Sequence, residues 1–306
     1  MPGPELTIAD VLAAQDHPTM SFEFFPPKDD AGQIQLLDAI TALEPLRPDF
    51  ISVTYGANGS SRARTLAATR LVQERTTAIT MGHLTCVSQS TEELRAAIAA
   101  YAEAGVRHVL AVRGDPPGGP TAPWQRHPDG LDNATQLVEL VKASGDFCVG
   151  VGAFPDGHPE HFDVDLDARI LAAKEQAGAE FAITQLFFDA DAYFRLVDRV
   201  RALGCTLPIV AGIMPVTNLG QIERFATLSG ADLPAAVVAR LRAVADDPSA
   251  VRAVGLEIAT QLSDRLLAGG APGLHFYTQN RSKATAEILA RLREIPPHLD
   301  QFGDGS

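Results

Sequence analysis

Glu23 is the acidic residue of an aromatic run, FEFFPPK at residues 22–28. A carboxylate is seldom found among aromatic side chains unless it is paired or takes part in a reaction. Phe22, Phe24 and Phe25 would disfavour its ionised form, which is how enzymes keep a general acid protonated near neutral pH. We therefore predict that Glu23 takes part in a reaction, with a buried ion pair to an arginine as the alternative.

Further candidate residues stand at or just after the ends of apolar segments. They are Thr54, His83, Arg113, Gly114, Asp115, His158, Gln185, Tyr277 and Arg281. Most of them carry hydrogen-bond donors, acceptors or groups that can move protons, as a binding site requires. Structural alternatives stay open: the RGD tripeptide at 113–115 can form a turn, and His83 can be a core histidine. Gln185 can bond backbone groups, and Tyr277 and Arg281 can cover one end of the domain.

Eight short apolar segments supply the strands that would hold these residues. We predict strands at 20–25, 49–54, 78–85, 107–113, 147–153, 181–186, 208–213 and 273–278. Amphipathic segments alternate with them. We predict helices at 31–45, 61–76, 91–104, 132–144, 165–178, 189–203, 218–228 and 282–294, with an additional pair at 232–243 and 248–268. Ser90 and Glu93 form a capping-box sequence at the start of the third helix, and Gly178 is typical of a helix end.

This alternation predicts an α/β fold whose parallel sheet is covered by helices. Eight strand–helix units favour a single-domain (β/α)8 TIM barrel over residues 1–306, with a doubly wound open sheet as the alternative. Active sites of such barrels lie at the carboxyl ends of the strands, where the candidate residues stand. The long segment 116–130 is predicted to be a functional loop, and residues 296–306 a disordered tail.

The bulk composition excludes several classes of protein. The 306 residues carry a net charge of −13, which argues against nucleic acid or an anionic membrane as a partner. No apolar run reaches the roughly 18 residues of a membrane span, and the first residues lack the basic start of a signal peptide. Cys86, Cys148 and Cys205 are far apart, which is typical of reduced thiols and indicates a cytoplasmic protein.

The segment GHPEHFDVDLD at 157–167 could bind a metal ion, since it contains two histidines and three aspartates. Its spacing matches neither an HExxH nor an EF-hand pattern. Aspartates in the first turn of a helix explain the segment without a metal, and we predict none. No lysine falls within a predicted strand, which argues against a Schiff-base aldolase.

Eight segments, in order along residues 20–294, resemble the methylenetetrahydrofolate reductase family. They are FEFFPPK (22–28), ISVTYGANG (51–59), GHLTC (82–86), RHVLAVRGDPP (107–117), HPE (158–160), FAITQLFFD (181–189), GIMPVT (212–217) and LHFYTQNR (274–281). The resemblance implies a TIM barrel that holds FAD at its C-terminal rim. It also implies reduction of 5,10-methylenetetrahydrofolate to 5-methyltetrahydrofolate in a ping-pong scheme, with NADH or NADPH reducing the flavin first.

The same resemblance implies roles for individual residues. Glu23 would protonate N10 of the folate, and Asp115 would lie near both flavin and pterin. The substrate contacts would be Glu23, Gln185, Phe225, Tyr277 and Arg281. The FAD-binding positions would be Thr54, His83, Arg113, Gly114, Asp115, Ala134, His158, Asp167 and Lys174. Phe225 would stack on either substrate, and Lys174 would face the diphosphate.

Four residues depart from the family pattern beside the flavin: Asn133, Phe154, Ile170 and Ala173. They imply weaker FAD binding or a differently held adenosine. A flavin-independent folate reductase and a barrel methyltransferase that binds a pterin are the alternative functions. The family commonly forms homo-oligomers, so we expect a homo-oligomer.

Overall fold

The computed structural model of the protein describes residues 6–55 and 59–294, so the predicted disordered tail at 296–306 lies outside the described residues. The strands are β1 Thr19–Phe24, β2 Phe50–Val53, β3 Ile79–Thr85, β4 His108–Val112, β5 Cys148–Ala153, β6 Phe181–Thr184, β7 Ile209–Ile213 and β8 Gly273–Tyr277. The helices are α1 Ile8–Ala14, α2 Asp30–Leu43, α3 Gly59–Arg75, α4 Thr91–Glu103, α5 Ala134–Ala143, α6 Val164–Gln176, α7 Ala190–Ala202, α8 Leu219–Ser229, α9 Ala235–Arg242, α10 Pro248–Ala268 and α11 Lys283–Glu294.

The eight strands form a closed parallel barrel in sequence order. Strand β1 pairs with β2 on one side and with β8 on the other, where Glu23 lies opposite Tyr277. The predicted (β/α)8 barrel is confirmed, and the doubly wound alternative is wrong because an open sheet would leave β1 and β8 unpaired. Each predicted strand is present: β1 is shifted by one residue toward the N-terminus, and the other seven are shortened by one or two residues.

Strand β1 shows how the barrel sorts its side chains. Successive residues of a strand point to opposite faces. Phe22 and Phe24 point outward and pack against α2, on residues such as Leu36 and Ile40. Glu23 therefore points into the barrel. Phe22 and Phe24, which the sequence interpretation placed around Glu23, lie on the opposite face of the sheet, so that part of it is wrong. Phe25, just after the strand, lines the same cavity as Glu23.

An apolar layer fills the lower half of the barrel. Phe50, Met81, Leu110 and Phe181 belong to it, and the rings of Phe50 and Phe181 lie 6.2 Å apart. Gly150 lies beneath the Phe181 ring, because a Cβ at this position would collide with that ring. The large side chain of β6 and the missing side chain of β5 are therefore complementary.

Helix α1, which we did not predict, closes the N-terminal end of the barrel. Ile8 and Leu12 are buried one turn apart and join the interior apolar layer. Thr7 and Asp10 form a capping box at its start. The sequence carried this signal, in the form of a Thr and an Asp three residues apart around an apolar pair.

Capping residues define the other helix ends that we predicted. The Ser90 hydroxyl accepts from the Glu93 amide at 3.1 Å, and the Glu93 carboxylate accepts from the Ser90 amide at 2.9 Å. Gly178 follows the end of α6 with φ +109°, a conformation that favours glycine. Among the described residues, no helix combines the length and apolar character that crossing a membrane would require.

Candidate functional site

A cavity of about 920 Å³ opens at the carboxyl ends of the strands. It is lined by all but one of the residues that the sequence placed in a site. They are Glu23, Thr54, His83, Arg113, Gly114, Asp115, Ala134, His158, Asp167, Lys174, Gln185, Phe225 and Tyr277. Arg281 is exposed and lies outside this lining. The barrel therefore brings together residues that are up to 254 positions apart in the chain, as its closure requires.

Glu23 lies at the floor of the cavity and is 7% exposed. One carboxylate oxygen, Oε2, is 3.5 Å from Nε2 of His83 and 3.7 Å from Nε2 of His275. No arginine or lysine of the described residues pairs with it, so the alternative of a buried arginine pair is wrong there. The β1 backbone is fixed at this point because the Thr278 hydroxyl donates to the Glu23 carbonyl at 2.6 Å.

His83 faces Glu23 from strand β3. Its Nε2 atom is buried and has no hydrogen-bond partner among the described residues. Burial lowers the pKa of His83 from 6.5 to about 4, so the imidazole is neutral at pH 7. A neutral ring does not neutralise the charge of a Glu23 carboxylate.

Tyr277 stands above this floor on strand β8. Its hydroxyl donates to the carbonyl of Thr184 at 2.5 Å, which ties β8 to the end of β6. Gly212 on β7 makes this possible, since a Cβ there would approach the Tyr277 hydroxyl to 2.7 Å. Gln185 follows directly on β6, and its backbone amide bonds the Ala153 carbonyl at 2.7 Å. The Gln185 side chain lines the cavity, and its Oε1 atom accepts from the Leu186 amide at 2.9 Å, a backbone bond of the kind that the structural alternative predicted.

Arg113 and Asp115 extend the wall from the end of β4. The Arg113 guanidinium bonds the Glu160 carboxylate at 2.6 Å and lies over the Trp124 ring, 4.7 Å from its centre. Trp124 belongs to the predicted loop 116–130, which is thereby held against the cavity wall. Asp115 lies at the mouth of the cavity, where part of the residue is exposed. The surrounding protein partly shields its carboxyl from water, which raises the pKa of that carboxyl, although the Arg113 charge opposes this shift. Gly114 has φ +82°, so the turn between them favours glycine.

Lys174 and Asp167 are both buried on α6, and both line the cavity. Lys174 is 7% exposed and its ammonium donates to the Gly152 carbonyl at 3.0 Å. Burial lowers the pKa of Lys174 from 10.5 to about 8, although the Asp167 carboxylate opposes this shift. Asp167 accepts from the backbone amide of His158 at 2.8 Å, and burial raises the pKa of its carboxyl.

The histidines and aspartates of 157–167 have other partners than a metal ion. Asp163 caps α6 by accepting from two backbone amides, and His161 accepts from the Asp163 amide at 3.0 Å. The His158 ring packs edge-on against Phe154, with centres 4.7 Å apart. Within residues 6–55 and 59–294, no group of three or more histidines, cysteines or acidic residues is arranged to hold a metal.

The positions that depart from the family pattern all line the cavity. Asn133 has a structural role, because its side chain accepts from the Gln136 amide at 3.0 Å and caps α5. Phe225 lies in the middle of α8. Its side chain lines the cavity and packs in an apolar cluster with Met214. Helix α8 is tied to the loop after β8 by a 2.5 Å bond from Gln221 to Gln279.

Sequence reasoning missed three residues that shape the site: His275, Trp124 and Gln279. His275 lies two positions before Tyr277, so the period of two in a strand could have placed it on the same inward face. Gln279 and Trp124 lie in loops, and no local pattern specifies the contacts that they make.

The family model described as methylenetetrahydrofolate reductase matches residues 7–293. A 5,10-methylenetetrahydrofolate reductase of Pectobacterium carotovorum subsp. carotovorum is 40% identical over 279 residues, covering 90% of this chain and 91% of that protein. The protein of the same name from Escherichia coli (strain K12) is 37% identical over 277 residues, again covering 90% and 91%. A solved structure from Clostridium thermocellum, described as binding two copies of 5-methyl-5,6,7,8-tetrahydrofolic acid, has a TM-score of 0.64 at 14% identity and covers 94% of this chain and 97% of its own. That likeness shows the fold.

Proposed function

The chain belongs to the methylenetetrahydrofolate reductase family, and from this premise we propose that it reduces 5,10-methylenetetrahydrofolate to 5-methyltetrahydrofolate with FAD as cofactor and NADH or NADPH as reductant. The observation that carries the proposal is the convergence of Glu23, Asp115 and Gln185 on one cavity of about 920 Å³. These side chains supply a proton donor, a carboxylate and an amide at the rim of the barrel, where its ligands bind.

The residues of the cavity fit a flavin dinucleotide. Lys174 and Arg113 are basic side chains of the cavity lining that would face the diphosphate, and Arg113 would do so while paired with Glu160. Gly152 also lines the cavity and has no side chain. A Cβ at this position would project into open space, because its nearest neighbour would be 3.8 Å away. Asp167 lies beside Lys174 and would contact the adenosine ribose. When bound, FAD would accept a hydride from the nicotinamide and pass it to the folate.

Glu23 would act on the folate before the hydride arrives. A proton on N10 breaks the bond between N10 and the bridging methylene carbon, which leaves a cationic iminium at N5. A hydride then adds to that carbon and completes the methyl group. Glu23 is the inward-facing carboxyl at the cavity floor. The imidazoles of His83 and His275 face it at 3.5 and 3.7 Å, and no arginine or lysine of the described residues pairs with it.

Asp115 and Gln185 would bind and orient the pterin. The Gln185 amide has both a donor and an acceptor for the pterin edge. The Asp115 carboxylate can accept from the pterin amino group and stabilise the cationic iminium. Phe225, on α8, would stack on whichever substrate is present, and Tyr277 would close the opposite wall. Nicotinamide and folate would therefore use one space in turn, in a ping-pong scheme.

Absorption spectroscopy without oxygen tests this proposal. We expect the purified chain to bind FAD, the flavin bands to bleach with NADH or NADPH, and the bands to return when methylenetetrahydrofolate is added. A chain that reduces the folate with NADH but does not bind FAD would overturn the flavin step. A chain that binds FAD but whose bands do not return with the folate would overturn the substrate.

FAD binding is expected to weaken as the pH rises through about 8. The Lys174 ammonium of the free protein has a pKa of about 8 and loses its charge above it, whereas a bound diphosphate would hold the charged form. We expect the Kd for FAD to be more than about tenfold higher at a pH roughly 1.5 units above that pKa than well below it. Flavin fluorescence titrations at both pH values measure it.

Lys174→Met is the matched control for this pH dependence. Methionine keeps an unbranched apolar side chain of similar length but carries no charge at any pH. The variant should bind FAD weakly and with one Kd across the range. A native Kd that is equal at both pH values would contradict a diphosphate contact by Lys174.

Three further expectations from the sequence are part of the proposal. The barrel forms one domain over residues 1–306, the enzyme is cytoplasmic, and it assembles as a homo-oligomer. Arg281, exposed just after β8, would reach the substrate only from the mouth of the cavity.

A further inference from the structure

A chain of buried polar side chains lies directly beneath Glu23. It consists of Ser21 on β1, Ser52 on β2 and His275 on β8, each 0% exposed. None of the three lines the cavity, so a ligand cannot reach them. Buried polar groups are expensive unless each is hydrogen-bonded, and an apolar layer would fill this part of the barrel at no such cost. Their position under the proposed proton donor suggests that they serve it.

The hydrogen bonds of His275 assign its tautomer. Ser21 Oγ is 2.8 Å from His275 Nδ1 and donates its proton to the Leu274 carbonyl at 3.1 Å. A hydroxyl has one proton, so Ser21 accepts from an Nδ1–H group on the ring. Nε2 of a neutral ring then carries the lone pair, with the Ser52 hydroxyl oxygen 3.3 Å away and the Glu23 Oε2 atom 3.7 Å away.

The ring of His275 is held in this orientation by its neighbours. It stacks on Phe50 with ring centres 5.7 Å apart and an angle of 14°, and Tyr277 meets it edge-on at 5.7 Å. A flip of the imidazole would break both serine contacts. The lone pair of Nε2 therefore stays directed at Glu23 Oε2, 3.7 Å away.

We propose that His275 is a positioning residue that holds Glu23 in its protonated form, and that Ser21 fixes the tautomer on which this depends. A carboxylate facing the Nε2 lone pair would be repelled, whereas a carboxylic acid can donate its proton toward it. The ionisable groups of the described residues that face Glu23 are His83 on β3 and His275 and Tyr277 on β8. The Tyr277 hydroxyl donates to Thr184 and does not serve Glu23. The inference rests on the proposed function only in that Glu23 is the proton donor.

Nitrogen-15 NMR of histidine-labelled protein tests the tautomer without any turnover. We expect the native chain to show His275 as the Nδ1–H form, with the resonance assigned from a His275→Asn variant. Ser21→Ala removes the acceptor of Nδ1–H and should shift the ring to the Nε2–H form, which donates to a carboxylate. An Nε2–H tautomer in the native chain would overturn the proposal.

Carbon-13 NMR of the Glu23 carboxyl, assigned with Glu23→Gln, then reads the consequence. In Ser21→Ala, we expect Glu23 to titrate about one pH unit lower, a roughly tenfold loss of proton affinity. The pH profile of folate reduction should move by the same amount, while the rate of flavin reduction by NADH stays the same. Ser263→Ala is the matched control: Ser263 is equally buried but donates to the Ala259 carbonyl within α10, so this variant should keep the native tautomer and the native titration of Glu23.

These outcomes separate the inference from the proposed function. A native chain that does not reduce the folate would sink the proposed function, yet both NMR readouts would still test the arrangement of His275 and Glu23. A switched tautomer in Ser21→Ala with an unmoved Glu23 titration would overturn the inference and leave the reductase intact.

Discussion

Glu23→Gln is expected to slow folate reduction by about 10²- to 10⁴-fold, the range that general acid catalysis contributes, and to leave flavin reduction by NADH unchanged. Glutamine has nearly the same shape and can still bond neighbouring groups, but it cannot deliver a proton to N10. The residue is buried at the cavity floor, so water cannot readily replace it as the acid. Rapid mixing of the reduced enzyme with methylenetetrahydrofolate measures the folate step, and mixing the oxidised enzyme with NADH measures the other.

Glu92→Gln is the control for this substitution. Glu92 is exposed in the first turn of α4 and is not among the residues that line the cavity. Both half-reactions should keep their native rates in that variant. Loss of both half-reactions in Glu23→Gln would show a structural role for Glu23, and folate reduction at the native rate would rule it out as the acid.

Phe181→Ala is expected to lower the free energy of unfolding by about 3–5 kcal/mol, the usual range for a buried phenylalanine. Phe181 is fully buried inside the barrel, against Phe50 and over Gly150. The fixed backbone of eight paired strands cannot collapse into the space that the ring leaves, so the loss includes a cavity as well as apolar burial. Urea unfolding followed by circular dichroism measures the effect.

Phe162→Ala applies the same change to a ring that is 58% exposed. Surface substitutions of this kind alter the free energy of unfolding by about 0.5 kcal/mol or less. Equal losses in the two variants would mean that the interior layer contributes no more to stability than the surface does.

The architecture was predictable from the sequence because its signals are local. Apolar segments of six to eight residues predicted the strands, and capping residues such as Ser90 predicted helix starts that the structure reproduces. Helix α1 was missed although Thr7 and Asp10 marked it, because a seven-residue helix shows only two buried positions. The closure of the barrel followed from the number of strand–helix units.

The environment of Glu23 was less predictable than its position. Adjacent residues in a strand are neighbours in sequence and lie on opposite faces in space, so the phenylalanines on either side do not contact the carboxyl face. The real neighbours, His83 and His275, come from strands about 60 and 250 residues further along, and their proximity depends on register. Loop contacts such as Arg113 with Trp124 depend on chain paths that no periodic pattern encodes.

Helix α1 and the apolar layer above it close one end of the barrel, and the cavity opens at the other end. Ile8 and Leu12 seal the N-terminal end, and Phe50, Met81 and Phe181 separate that end from the polar floor. On the proposed mechanism, a proton that Glu23 gives to the folate would find no way back through the described residues below it. The acid would be recharged from bulk solvent through the mouth, in the interval after the product leaves and before the next molecule covers it. Turnover would then include a reloading step, and the occupancy of the mouth would set when that step can occur.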